Sequence, residues 1–137
     1  GTALPWAGAI ATVTIYGQSL LGGLVGSRWA LHQCLDTAHL CGWLNSHLLG
    51  IVPAVLAVGV VLWLAWRTPA LHQHLRWLRG TIAALLAVQL LVGYGTFHLH
   101  LQIEPLTVAH QAIGAALLGA LVSLTILGFR DQPTALA

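Results

Sequence analysis

The chain has 137 residues, of which 58% are hydrophobic and 6% charged, with a mean hydropathy of +0.84. Soluble domains carry about a quarter charged residues, so this composition excludes a soluble globular protein. The net charge of +2, from Arg28, Arg67, Arg76, Arg79 and Arg130 against Asp36, Glu104 and Asp131, forms no basic patch fit for a phosphate backbone, which argues against nucleic acid as a partner.

Four apolar stretches, at about 4–27, 43–66, 80–97 and 106–129, each approach the ~20 residues that a spanning helix needs. They predict an all-α integral membrane four-helix bundle, one domain over 1–137, with lipid as a partner. The chain contains no methionine, even at position 1, as expected of a processed product or a piece of a longer polypeptide. The first stretch lacks a basic n-region and is long enough to span, so it is expected to be a helix and not a signal peptide. Within it Gly22 and Gly26 make a small-xxx-small step that admits a close neighbour. The loop that follows holds Arg28, His32, Cys34, Asp36, His39 and Cys41.

The second helix is expected to start near Trp43 and end at the Trp63–Trp66 belt. Pro53 inside it predicts a kink. Thr68-Pro69 marks a turn, and the polar segment 70–79 is expected to lie along the surface. The third helix then runs from about Gly80 to Phe97. Glu104-Pro105 punctuates the last loop, and the fourth helix is expected to start just after that proline. Arg67, Arg76 and Arg79 flank the second connection and Arg130 follows the last helix. The positive-inside rule therefore puts both termini and the 67–79 loop in the cytoplasm. The 28–42 and 98–105 connections face outward, to a periplasm or lumen.

An internal repeat relates the halves. Gln18-Ser-Leu-Leu-Gly22 resembles Gln89-Leu-Leu-Val-Gly93, and Ser46-His47 resembles Ala109-His110. Each half reads as an outward-pointing hairpin, and two such hairpins pack as a parallel repeat about the membrane normal. His47 and His110 would then face each other across the bundle axis. Each stands four residues into its expected helix, a depth of about 6 Å. Ionisable residues inside a membrane are functional candidates, and two imidazoles at one level suit bis-histidine ligation of a haem in a bundle core. Gly50, Ala54, Ala112, Gly114 and Ala115 are small residues expected to leave room for a porphyrin. The competing reading is that the histidines hydrogen-bond across the bundle and join helices. A bare divalent metal would want further ligands, and no carboxylate lies at that depth.

Arg28, the one outward arginine, is a candidate propionate contact or an interfacial anchor. His98 and His100 close the third helix, and His32 and His39 sit in the outer loop. All four read first as solvated residues, with pocket or propionate contact as the alternative. His72 and His74 read as interfacial. Cys34 and Cys41 fall in the outward loop, where disulfides persist. In a helix their Cα atoms would be ~10 Å apart, too far for a bridge, so a disulfide requires the segment to bend back. A structural disulfide, a redox-active pair and two free thiols all stay open. No Cys-x-x-Cys-His motif is present for covalent haem attachment.

Gly22-Gly-Leu-Val-Gly-Ser, the Cys34 to Cys41 loop, Asn45-Ser-His47, and Glu104-Pro-Leu-Thr-Val-Ala-His110-Gln together resemble the haem A synthase family. More narrowly they are similar to the C-terminal half of a cyanobacterial-type member, over essentially the whole chain. That family pairs two pseudo-symmetric four-helix bundles. One oxidises a methyl group of haem O to the formyl group of haem A, and the other holds haem b between two histidines. The resemblance implies that His47 and His110 are axial ligands of haem b, that Cys34 and Cys41 are the outer-loop cysteine pair, and that a companion four-helix bundle is the partner. In the catalytic half a glutamate precedes the helix-two histidine by one turn. Here that position is Leu44, which points to the haem-holding half, with no catalytic residue in this chain. A stand-alone b-type membrane cytochrome and a non-catalytic structural subunit of a larger membrane complex are the alternatives.

Overall fold

A computed structural model of the chain describes residues 2–27, 42–99 and 102–131. It contains α1 (Ala3–Gly26), α2 (Gly42–Arg67), α3 (Gln73–His98) and α4 (Glu104–Arg130), and no strand among the described residues. All four helices are long and apolar enough to cross a membrane. Their connections alternate ends, so α1 and α3 run one way and α2 and α4 the other. The α1/α2 and α3/α4 hairpins are each closely packed, α1 also packs on α4, and a lighter α2–α3 interface closes the ring. α2 and α4 therefore stand across a diagonal.

The core fills the half of the bundle nearest the described chain ends and the α2–α3 turn. Leu4, Gly8, Ala11 and Ile15 of α1, Ala54, Val58, Val61 and Ala65 of α2, and Leu117, Leu121, Leu124 and Gly128 of α4 are buried. In each helix these positions step by four, three and four residues. That is the 3.5-residue period of a left-handed bundle seam. The opposite faces carry Val13, Leu49, Leu56 and Leu91, large apolar side chains left exposed. Such helices are apolar all round, as expected in lipid. Polar side chains within them are mostly satisfied by their own helix. Thr12, Ser19, Thr96, Ser123 and Thr125 each donate to the carbonyl four residues back at 2.7–2.9 Å, the local alternative to water.

Two details differ from the sequence expectations, while α2 includes Pro53 on its exposed face. Segment 70–79 does not form a separate surface element, because α3 begins at Gln73. Leu75 is buried, and Leu78 packs against the core one turn before Ile82, so the apolar stripe continues under the arginines. Arg79 reaches back to donate Nη1–H to the Ala65 carbonyl at 3.0 Å and lies 4.8 Å over the Trp66 ring. The charges at 76 and 79 masked that stripe. Second, α4 starts at Glu104, before Pro105, which occupies the first turn. There a missing N–H costs nothing and an acidic residue suits the helix dipole.

Candidate functional site

The half of the bundle away from that core holds His47 and His110. α2 and α4 start at Gly42 and Glu104, so the two histidines enter at slightly different depths, yet they meet. Their ring centroids are 6.4 Å apart with planes inclined at 76°. Both rings are half-buried.

Glycine and glutamine of the repeat build this layer. His47 packs on α1 at Gly22, where an added Cβ would stand 3.1 Å from its Cε1. His110 packs on α3 at Gly93, where the corresponding distance is 2.8 Å. The arrangement is reciprocal. The Gln18 side chain of α1 fills the space over Gly50 of α2, and the Gln89 side chain of α3 fills the space over Gly114 of α4. Gln18 Nε2 also donates to the main-chain carbonyl of His47 at 2.9 Å. Each hairpin thus interlocks a glutamine over one glycine and an imidazole over the other. The absence of Cβ at all four positions allows the approach.

This changes the role of the small residues. Gly50 and Gly114 are filled by the glutamines, Ala54 belongs to the core, and Ala112 and Ala115 point outward as exposed residues. None of them opens a slot for a porphyrin. The expected Gly22–Gly26 step also divides its work. Gly22 receives His47, whereas Gly26 faces Thr107 and Gln111 of α4.

The layer is polar and incomplete. The buried side-chain atoms without a hydrogen-bond partner among the described residues are Gln18 Oε1, His47 Nδ1, Gln89 Oε1, Thr107 Oγ1 and His110 Nδ1. All five belong to the residues around the histidine pair. Natural interiors leave few such atoms, and elsewhere in this bundle the buried hydroxyls are bonded to their own helix. Among the described residues no group of three or more His, Cys, Asp and Glu side chains is placed to hold a metal ion. Among the described residues the donor set is the two imidazoles. Such a set suits a metal that brings its other ligands with it, as in a haem. Two imidazoles on one iron, with bonds of about 2 Å, place their ring centres roughly 6 Å apart. The separation between His47 and His110 fits that requirement.

Other sequence candidates fall elsewhere. Arg28, His32, Cys34, His39, Cys41 and His100 lie outside the described residues. His98 ends α3 as an exposed residue stacked on Tyr94 at 5.7 Å. At the far end, His74 is more than an interfacial residue: its Nε2 lies 2.6 Å from Asp131 Oδ2, and its ring stacks on His72 at 5.4 Å. Sequence reasoning noticed Gln18 and Gln89 only as marks of the repeat and passed over Thr107. Their signal was available, since a glutamine one turn before a glycine recurs in both hairpins. In comparisons by sequence and by structure, no protein-family model, no curated protein and no solved structure matches the chain.

Proposed function

We propose that this chain is a haem b-binding membrane bundle, the haem-holding half or subunit of a haem A synthase-type enzyme, with His47 and His110 as axial ligands. The observation that carries the reading is the 6.4 Å separation of the two rings across the α2–α4 diagonal. The orphaned polar atoms around them support it, because they mark a layer whose hydrogen bonding the described residues do not complete. A b-type haem supplies one-electron transfer when bound. The chain's own residues bind and orient. Gly22 and Gly93 set how far the imidazoles stand from the axis, and the apolar faces of α1 to α4 exclude water from the site. Leu44, on the first turn of α2, offers no carboxylate for substrate chemistry, so oxidation of a haem methyl group belongs to a companion four-helix bundle. Arg67, Arg76, Arg79 and Arg130 lie at the end opposite the histidines, which by the positive-inside rule supports an outward histidine end.

The test is the absorption spectrum of the purified protein loaded with haem b. Sharp, split α and β bands on reduction are expected of a low-spin bis-histidine site. His47→Ala and His110→Ala should each lose the haem or turn it high-spin. Unchanged low-spin spectra in both variants would end the axial assignment. Absence of any haem band in the wild-type protein would end the cofactor reading.

A further inference from the structure

The outer face of α3 carries a groove of about 600 Å³, within the size range of small-ligand sites. Gln73, Arg76, Trp77, Gly80, Thr81 and Ala84 line it, and all six are exposed. All six belong to α3, so the groove is not a void between helices of the bundle. Leu75, Leu78 and Ile82 hold the opposite stripe of the helix against the core. The floor of the groove is Gly80. An added Cβ there would meet nothing within 4 Å, so no close helix approach accounts for a residue that weakens a helix interior. The end of the bundle at which the groove opens holds four arginines and one aspartate among the described residues, and three of the arginines are engaged. Arg67 lies 4.9 Å over the Trp63 ring, Arg79 donates to the Ala65 carbonyl, and Arg130 meets Asp131. The Arg76 guanidinium has no partner among the described residues. Trp77 beside it is 71% exposed, more than any other described tryptophan, so its indole is not used in packing the bundle.

We infer that this groove binds one anionic phospholipid of the leaflet at the arginine end. Over the roughly 16 Å of helix from Gln73 to Ala84, the lining passes from polar and cationic to small. Gln73 and Arg76 stand at the mouth. Below Trp77 come Gly80, Thr81 and Ala84, and the Thr81 hydroxyl is already bonded to the Trp77 carbonyl at 3.0 Å. A phospholipid has the same order, with a phosphate above and an acyl chain below. Arg76 and Gln73 donate to the phosphate, for which an arginine fork is well shaped. Trp77 flanks the interfacial region, and the upper acyl chain lies over Gly80 and Ala84. Preference for an anionic headgroup follows from the surrounding charges. A choline or ethanolamine cation would need a carboxylate, and Asp131 is already held by His74 and Arg130. An acidic segment of a companion protein is the rival occupant; it would match Arg76, but not the change from polar to small along the helix. The inference needs α3 to span a membrane and does not depend on the haem-binding reading.

The experiment is native mass spectrometry of the full chain released from nanodiscs of equal phosphatidylglycerol and phosphatidylcholine. Wild type should retain phosphatidylglycerol in preference to phosphatidylcholine. Arg76→Gln should lower that retention about fivefold. Gly80→Leu fills the groove without changing any charge and should lower it at least as much. Arg130→Gln removes a charge at the same end but outside the groove, and should stay near wild type. Helix content by circular dichroism should be the same in all four proteins. Wild-type retention in Gly80→Leu would overturn the inference and leave Arg76 and Trp77 as plain interfacial anchors. An equal loss in Arg130→Gln would overturn it in favour of overall charge. Equal retention of the two lipids by wild type would overturn the anionic preference. Loss of a larger assembly in Gly80→Leu, with lipid still retained, would assign the groove to a protein partner instead. If Gly80→Leu does not fold, Arg76→Gln against Arg130→Gln decides alone.

Discussion

His74 Nε2 and Asp131 Oδ2 lie 2.6 Å apart, so the first turn of α3 is tied to the residue that closes α4. Arg130 Nε meets the other carboxylate oxygen at 3.2 Å. The hydrogen bond from His74, and then Arg130, hold the Asp131 carboxyl below its ordinary value. A depressed carboxyl favours the folded state fully above its unfolded pKa, near 4. That contribution is lost as pH falls through the lower folded value. Thermal melts of wild type and Asp131→Asn should therefore differ by a constant amount from about pH 7 to 5 and converge below about 4. Convergence already near pH 6 would show that the carboxylate is not what ties these helix ends.

The two glycines under the imidazoles should respond unequally to one methyl group. An added Cβ meets His110 Cε1 at 2.8 Å from Gly93 but meets His47 Cε1 at 3.1 Å from Gly22. Overpacking of this kind costs about 1–3 kcal/mol. Gly93→Ala should displace its histidine further than Gly22→Ala. Haem titration should rank the variants wild type, Gly22→Ala, Gly93→Ala in falling affinity; the reverse order would contradict the packing described.

Gly8 offers the matching control in the core half. A Cβ there would stand 2.5 Å from Thr125 Oγ1 and 3.2 Å from Leu124 Cδ2. Thr125 is held by its bond to the Leu121 carbonyl at 2.7 Å, so it cannot turn aside freely. Gly8→Ala should destabilise α1–α4 packing by about 1–3 kcal/mol and leave the spectrum of bound haem unchanged. Denaturation in mixed micelles reads the first effect and absorbance the second.

Arg79 should matter more than its neighbour Arg76. Arg79 donates to the Ala65 carbonyl and stacks on Trp66, bracing the light α2–α3 interface, whereas the Arg76 side chain has no protein partner among the described residues. Loss of a charged hydrogen bond with a cation–π contact costs about 1–3 kcal/mol. Arg79→Ala should lower the unfolding midpoint by that amount, and Arg76→Ala should hardly move it. Equal effects would mean that Arg79 acts only as an interfacial charge.

Hydropathy and length were enough to read the four spans, because a membrane-spanning helix must be long and apolar whatever it packs against. The third was set seven residues short. Leu75, Leu78 and Ile82 continue its stripe, but Arg76 and Arg79 between them lowered the local hydropathy that defined the boundary.

The histidine pair was legible for a similar reason: a repeat of two hairpins maps His47 onto His110, and a similar depth, five and six residues into their helices, follows from a fixed rise per residue. Which small residues serve that pair was not legible. Gly50, Gly114, Gly22 and Gly93 look alike in an apolar sequence, and only the facing of α1 on α2 and of α3 on α4 assigns glutamine to the first two and imidazole to the others. Chain order and composition determine what each helix is and roughly where it enters the membrane. Helix rotation, set by the packing of four seams against one another, decides which polar atoms share a layer and which are left without partners.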